Sequence, residues 1–197
     1  MFENAASCAL TPEQTEGPYY IDVDKIRGDI REDREGVRLK VAARVVDADG
    51  CTPIKDAVFE ICHADAAGQY SGFDGEFAGG RPGGRRGPSS QSRYLRGAQI
   101  TNADGVAEIT TIYPGWYPGR TVHIHAKVFI SNAEAVTTQF YFDEEISDEV
   151  YALAPYRSRS RRDRMNANDS IFSNRTVMTT SRDGDGYLGV ITIGVNR

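Results

Sequence analysis

The sequence predicts an all-β protein, an antiparallel β-sandwich with long loops and little helix. Three observations carry this. Short runs rich in Val, Ile, Thr, Tyr and Phe recur along the chain. Clusters of Gly, Pro, Asn and Asp punctuate them, and only EEISDEVYALAP reads as helix. Many short strands separated by frequent turns bury their apolar faces best as two stacked sheets. A chain of 197 residues fits one domain over 1–197, with an extended N-terminal segment at 1–35 and the sandwich core at 36–197.

The elements follow in order. VRLKVAARVVDADG, Val37 to Gly50, is a β-rich run ending in a DADG turn signal. AVFEICHA follows the turn-like CTPIKD. The segment from Gly68 to Gln99 is too rich in Gly, Pro, Ser and Arg for regular structure, and a loop of that length is usually functional or disordered. Its stretch 79–87 reads as a surface loop. QITNADGVAEITTIYP reads as a hairpin turning at Asp104-Gly105. TVHIHAKVFIS and AVTTQFYFD are two more strands. EEISDEVYALAP reads as a short helix closed by Pro155. DGDGYLGVITIGVN closes the pattern with a turn and a strand.

Composition excludes several function classes. The net charge of -5 gives no reason to expect nucleic acid or an anionic membrane as a partner. No stretch approaches the roughly 20 apolar residues of a membrane span. The run YRSRSRRDRMN holds five arginines but lacks an aromatic platform, so it reads as a solvated loop. The N-terminus lacks the basic start and apolar run of a signal peptide, and a trimmed precursor stays open. Cys8, Cys51 and Cys62 include no CxxC, which argues against a thiolate zinc site. Cys62 sits in an apolar run and reads as a buried thiol. Cys8 and Cys51 both flank turn-like segments, and both a disulfide and free thiols are open to them.

Two of the three histidines, His123 and His125, stand one residue apart on a strand pattern. Strand side chains alternate between faces, so Val122, Ile124, Ala126, Val128 and Ile130 should face the core, with His123, His125 and Lys127 on the other side. Imidazoles at i and i+2 can reach one metal ion, whose identity this spacing leaves open. Just upstream, Tyr113, Trp116, Tyr117 and Arg120 lie on a loop shaped by Pro114, Gly115, Pro118 and Gly119. A phenolate ligand at neutral pH needs a strong cation, and Fe(III), hard and highly charged, is one.

The stretch RGAQITNADGVAEITTIYPGWYPGRTVHIH resembles the signature of the intradiol ring-cleavage dioxygenases, non-haem Fe(III) enzymes that open catechols between the two hydroxyls. Its PG-x-Y-x-x-R-x-x-H-x-H pattern is far more demanding than His-x-His. TPEQTEGPYY, FEICHADAAGQYSGFD, TTQFYF and RDRMNANDSIF resemble further family segments, so the likeness spans nearly the whole chain. It implies Tyr70, Tyr117, His123 and His125 as ligands of one Fe(III) per chain. It implies Arg120 and Gln139 near substrate and metal, with Tyr117 also in the chemistry, and Pro18 and Tyr19 in the substrate pocket. The implied substrates are a small aromatic diol and O2, and the implied product a cis,cis-muconate. With no second basic residue to assign, catechols lacking a carboxylate are expected.

Cys62 stands where the family commonly has tryptophan, a packing change that removes no ligand. The long dimerisation segment of larger catechol dioxygenases is absent, so the chain resembles the small single-domain branch and is expected to be a monomer. Many members of that branch are secreted, which favours secretion for a trimmed mature form, a cytoplasmic location being the alternative, and favours a Cys8–Cys51 disulfide. His63 reads as structural, Asp65 as a support for the Tyr70 loop, and Tyr20 and Tyr94 as packing residues. Two competing readings are a non-catalytic β-sandwich module with a residual metal site, and a Cu or Zn site on His123 and His125.

Overall fold

The computed structural model describes residue 2 and residues 8–23, 25–73 and 88–196. The stretch 79–87 lies outside them. The strands among the described residues are β1 (Arg38–Asp47), β2 (Val58–Cys62), β3 (Arg96–Ile100), β4 (Val106–Ile112), β5 (His123–Ile130), β6 (Ala133–Tyr141), β7 (Thr179–Asp183) and β8 (Gly186–Val195). One sheet is ordered β4-β1-β8-β7 and the other β3-β2-β5-β6. The pairings are antiparallel except β1 with β8, which run parallel and join an early strand to the last one.

Alternation builds the core. Leu39, Val41, Ala43 and Val45 of β1 meet Phe59 and Ile61 of β2 and Ile124, Ala126 and Val128 of β5, all buried. Burying each of the larger side chains contributes about 1.5–3 kcal/mol. The Phe59 and Phe140 rings stack with centroids 6.1 Å apart. Lys127, His125 and His123 point out of this core as expected, yet they too are buried, because other chain segments cover the outer face of the second sheet.

The expected hairpin at Asp104-Gly105 is not one. β3 pairs with β2 while β4 pairs with β1, so the chain passes there from one sheet to the other. The turn itself forms: Asn102 Oδ1 accepts from the N–H groups of Asp104 and Val106, both at 2.9 Å. Buried Thr101 fixes the corner, its hydroxyl donating to the Ile54 carbonyl at 2.7 Å and accepting from the Ala57 N–H at 2.9 Å. The same turn chemistry serves a hairpin and a corner, so local sequence does not distinguish them. True hairpins join β5 to β6 through Ser131 and Asn132, and β7 to β8.

The helix α1 (Glu144–Tyr151) is shorter than EEISDEVYALAP suggests. Pro155 disfavours helical geometry at Ala154 and ends the run early. A single 3-10 turn at Tyr156–Ser158 follows. The arginine run is partly absorbed into the fold rather than fully solvated. Arg162 pairs with Glu144 and with Asp148 at 2.7 Å, and Arg159 lies 4.7 Å over the Trp116 ring.

The N-terminal segment bridges both sheets. The Thr11 N–H donates to the Gly194 carbonyl at 2.8 Å, and the Gln14 N–H to the Thr137 carbonyl at 2.7 Å. Cys8 is bonded to Cys51, with the Cα atoms 5.3 Å apart. Beyond Gln14 the chain crosses the outer face of the second sheet as a strap. Lys127 holds it there, its Nζ 2.8 Å from both Glu16 and Glu134 and 4.2 Å from the Tyr20 ring centroid.

Candidate metal centre

Two interlocked loops and one strand bring the expected residues together. Asp65 closes the turn before Tyr70: its Oδ1 accepts from the N–H groups of Ala67 at 2.9 Å and Gln69 at 3.0 Å. The same residue's carbonyl accepts from the Gly115 N–H at 3.0 Å, tying this turn to the loop that carries Tyr117. The contact needs glycine on both sides. A Cβ on Gly115 would stand 2.2 Å from the Asp65 carbonyl oxygen, and one on Gly68 (φ +82) 2.2 Å from that of Trp116. From the far side, Tyr151 and Tyr156 donate to the carbonyls of Pro114 and Tyr113 at 2.9 and 2.6 Å.

β5 supplies the imidazoles. Tyr117 Oη lies 3.0 Å from His123 Nε2, which lies 3.2 Å from His125 Nε2. His123 Nδ1 is 2.7 Å from the Thr121 carbonyl, which only accepts. The hydrogen-bond network therefore assigns the proton to Nδ1 and leaves the Nε2 lone pair facing Tyr117 and His125. Tyr70 completes the group, with ring centroids 5.8 Å from Tyr117 and 6.1 Å from His125. Its hydroxyl faces Tyr117 yet completes no hydrogen bond among the described residues.

Burial dominates the electrostatics. It lowers His123 to about 3, with the Arg120 charge adding to the effect, and it holds His125 well below the usual histidine value, with His123 adding. Both imidazoles are neutral and free to donate a lone pair. Burial raises Tyr70 well above an ordinary phenol, and Tyr117 to about 12 against the opposing pull of Arg120. Each phenol stays protonated until a cation reverses that balance.

These residues fit a metal ion. Donor atoms about 2.1 Å from one cation stand about 3 Å from each other, which is the spacing of Tyr117 Oη, His123 Nε2 and His125 Nε2. Among the described residues no three His, Cys, Asp or Glu side chains cluster, and the oxygen that stands beside the two imidazoles is a phenol's, Tyr117 Oη. Two phenols and two imidazoles, without thiolate, suit a hard trivalent ion better than a soft one.

Around the group, Gln139 is the register partner of His125. Its Oε1 accepts from Arg120 at 2.6 Å, and its Nε2 donates to the Thr15 carbonyl at 2.8 Å. Tyr19 stacks on Tyr70 at 4.9 Å, with Phe73 edge-on to it at 5.1 Å. Pro18 is exposed beside it on the strap. His63 is structural: Nδ1 lies 2.8 Å from the Ala64 carbonyl and Nε2 2.7 Å from Thr111 Oγ1. Tyr94 packs under Arg34, whose Cζ is 4.5 Å from its ring.

Two neighbours received no role from the sequence, although each lies in a stretch that resembles a family segment. Asp169 receives Arg120 Nε and the Thr121 N–H, both at 2.8 Å. Burial opposes its charge, but the N–H groups of Thr121 and Ile171 and the Arg120 guanidinium keep its pKa below the usual carboxylate value. Arg96, at the start of β3, is buried behind Tyr70. Asp169 lies in an irregular stretch with no periodicity, and Arg96 falls at the end of the Gly68–Gln99 segment, whose composition gives no strand signal.

A family model described as "Dioxygenase" (Dioxygenase_C) matches residues 15–178. The intradiol ring-cleavage dioxygenase from Tetranychus urticae superposes with a TM-score of 0.89, covering 96% of this chain and 95% of its own, at 37% identity. Catechol 1,2-dioxygenase 1 of Acinetobacter lwoffii is 33% identical over 156 residues, 66% of this chain and 45% of that protein. The chain thus spans about half the length of the curated relatives it matches. The 3-chlorocatechol 1,2-dioxygenase of Rhodococcus opacus 1CP shares the fold, with a TM-score of 0.69 at 18% identity. Matched by the family model over most of its length, and by a relative of its own size almost end to end, this chain belongs to the intradiol ring-cleavage dioxygenase family.

Proposed function

We propose that the chain is an Fe(III)-dependent intradiol dioxygenase that inserts both atoms of O2 into a catechol-type diol and yields a cis,cis-muconate. The observation that carries this reading is the approach of Tyr117 Oη, His123 Nε2 and His125 Nε2 to within 3.0 and 3.2 Å beside the unsatisfied Tyr70 hydroxyl. Tyr70, Tyr117, His123 and His125 would hold the iron. When bound, ferric iron supplies the Lewis-acid charge that favours a deprotonated diol and ionised phenols.

The chain's own residues do the rest. Tyr117, as phenolate, takes a proton from a diol hydroxyl at its Oη. The Arg120 guanidinium is held by Asp169 and Gln139, and it stabilises negative charge that develops on the ring; comparable preorganised contacts contribute about 3–4 kcal/mol. Tyr19, Tyr70 and Phe73 present aromatic faces that keep water from one side of the site. Pro18 and Tyr19, carried on the strap, bound the diol's binding space.

The test is oxygen uptake by the iron-loaded protein over a panel of catechols, with product identification. A cis,cis-muconate from at least one catechol is expected. Extradiol products, or no uptake by protein shown to carry iron, would overturn the assignment.

A further inference from the structure

Arg96 is 1% exposed and forms no ion pair among the described residues. Its place is fixed by register. β3 sets Arg96 opposite Cys62, β2 sets Cys62 opposite His125, and β5 sets His125 opposite Gln139. One row of side chains therefore crosses the outer face of the second sheet, with a guanidinium at each end: Arg96 at one, and Arg120, bonded to Gln139, at the other.

The two guanidiniums differ in charge balance. Arg120 meets the Asp169 carboxylate at 2.8 Å. Among the described residues Arg96 donates to neutral acceptors, with Nε 2.8 Å from Ser71 Oγ and Nη2 3.0 Å from the Ser71 carbonyl. Its third nitrogen, Nη1, is buried with no acceptor among the described residues. Glu60, one row along the sheet, forms no ion pair with it; burial and then Asp22 push its pKa up to about 7 against the opposing pull of Lys127 and of Arg96 itself. The Cζ of Arg96 stands 5.8 Å from the Tyr70 ring centroid, within range of the ring's negative face.

A neutral side chain could satisfy Ser71 without the penalty of a buried, unpaired cation. What arginine adds at this point is permanent positive charge on Tyr70's side of the centre. We propose that Arg96 is the fixed cation of that centre: it clasps the chain at Ser71 behind Tyr70 and sets the reduction potential of the iron bound there. The inference rests on the iron reading given above. Its physical basis is general, since net local charge and hydrogen bonding are what tune protein-bound iron.

The experiment uses the full chain reconstituted with ferric iron and reads two quantities, the Fe(III)/Fe(II) midpoint by spectroelectrochemical titration and the position of the tyrosinate charge-transfer band. Arg96→Met removes the charge and should move the midpoint to lower potential, with a band shift. Arg96→Lys keeps the charge without the guanidinium fork and should stay close to wild type in midpoint. Should Arg96→Met not fold, Ser71→Asp leaves the arginine in place, gives it a carboxylate, and should lower the midpoint in the same direction. An unchanged midpoint in the charge-neutralising variant, or an equal shift in Arg96→Lys, would overturn the proposal. A wild-type protein without a tyrosinate band would instead overturn the iron reading itself, so the two failures are told apart.

Discussion

His63 and His123 are both buried imidazoles with lowered pKa values, and only their partners separate a structural histidine from a donor. Both nitrogens of His63 are occupied, by the Ala64 carbonyl and the Thr111 hydroxyl. His123 spends one nitrogen on Thr121 and turns the other toward Tyr117 and His125. Burial lowers His63 from 6.5 to about 4. Between those values the unfolded chain binds a proton that the folded chain does not, so stability falls as pH drops from about 6.5 toward 4, by about 3 kcal/mol for this group. His63→Gln removes that component. Its deficit relative to wild type, measured by urea titration at pH 7 and near pH 4.5, should shrink at the lower pH; a deficit constant with pH contradicts the account. Asp169 acts through Arg120. Asp169→Asn keeps an acceptor for the Thr121 N–H but removes the charge that orients the guanidinium, and turnover should fall about 10–100-fold at unchanged iron content. Wild-type kcat in that variant would show that the ion pair does not position Arg120.

At the scale of elements, the strand bearing the histidines was legible because β5 alternates cleanly, with Ile124, Ala126 and Val128 in the core and His123 and His125 outside it. β7, TTSRD, was not, since it is polar on both faces and lies at a sheet edge. The β3–β4 connection was misread as a hairpin because Asn102 and Gly105 build the same local turn at an inter-sheet corner. The likeness to family segments placed Tyr70 and Tyr117 in one site, but sequence gave no hint of how their loops interlock. That joint is the close approach of Gly68 to the Trp116 carbonyl and of Gly115 to the Asp65 carbonyl. Gly115→Ala puts a methyl group against the Asp65 carbonyl and must separate the two loops. It should cost about 1–3 kcal/mol of stability and lower iron occupancy, read by urea unfolding and metal analysis. Wild-type values on both would mean that the loops move apart freely and the joint does not position the tyrosines.

For the whole molecule, two stacked sheets explain the fold class, but the site depends on what covers the outer face of the second sheet. The N-terminal segment does so, pinned by the Cys8–Cys51 bond, by the Thr11 contact with β8, and by Lys127 reaching Glu16. Periodicity predicts which face of a strand is apolar; it does not reveal that a polar face is itself buried under a distant strap. That is why Lys127, which the strand pattern sets on the face away from the core, is buried in the fold. The central claim is that two phenols and two imidazoles share one trivalent cation. Metal analysis of the ferric-reconstituted protein, with its visible spectrum, tests this most directly. About one iron per chain with a tyrosinate charge-transfer band is predicted, lost or strongly altered in Tyr70→Phe. Colourless protein that takes up no ferric iron, or a spectrum indifferent to Tyr70, would contradict it.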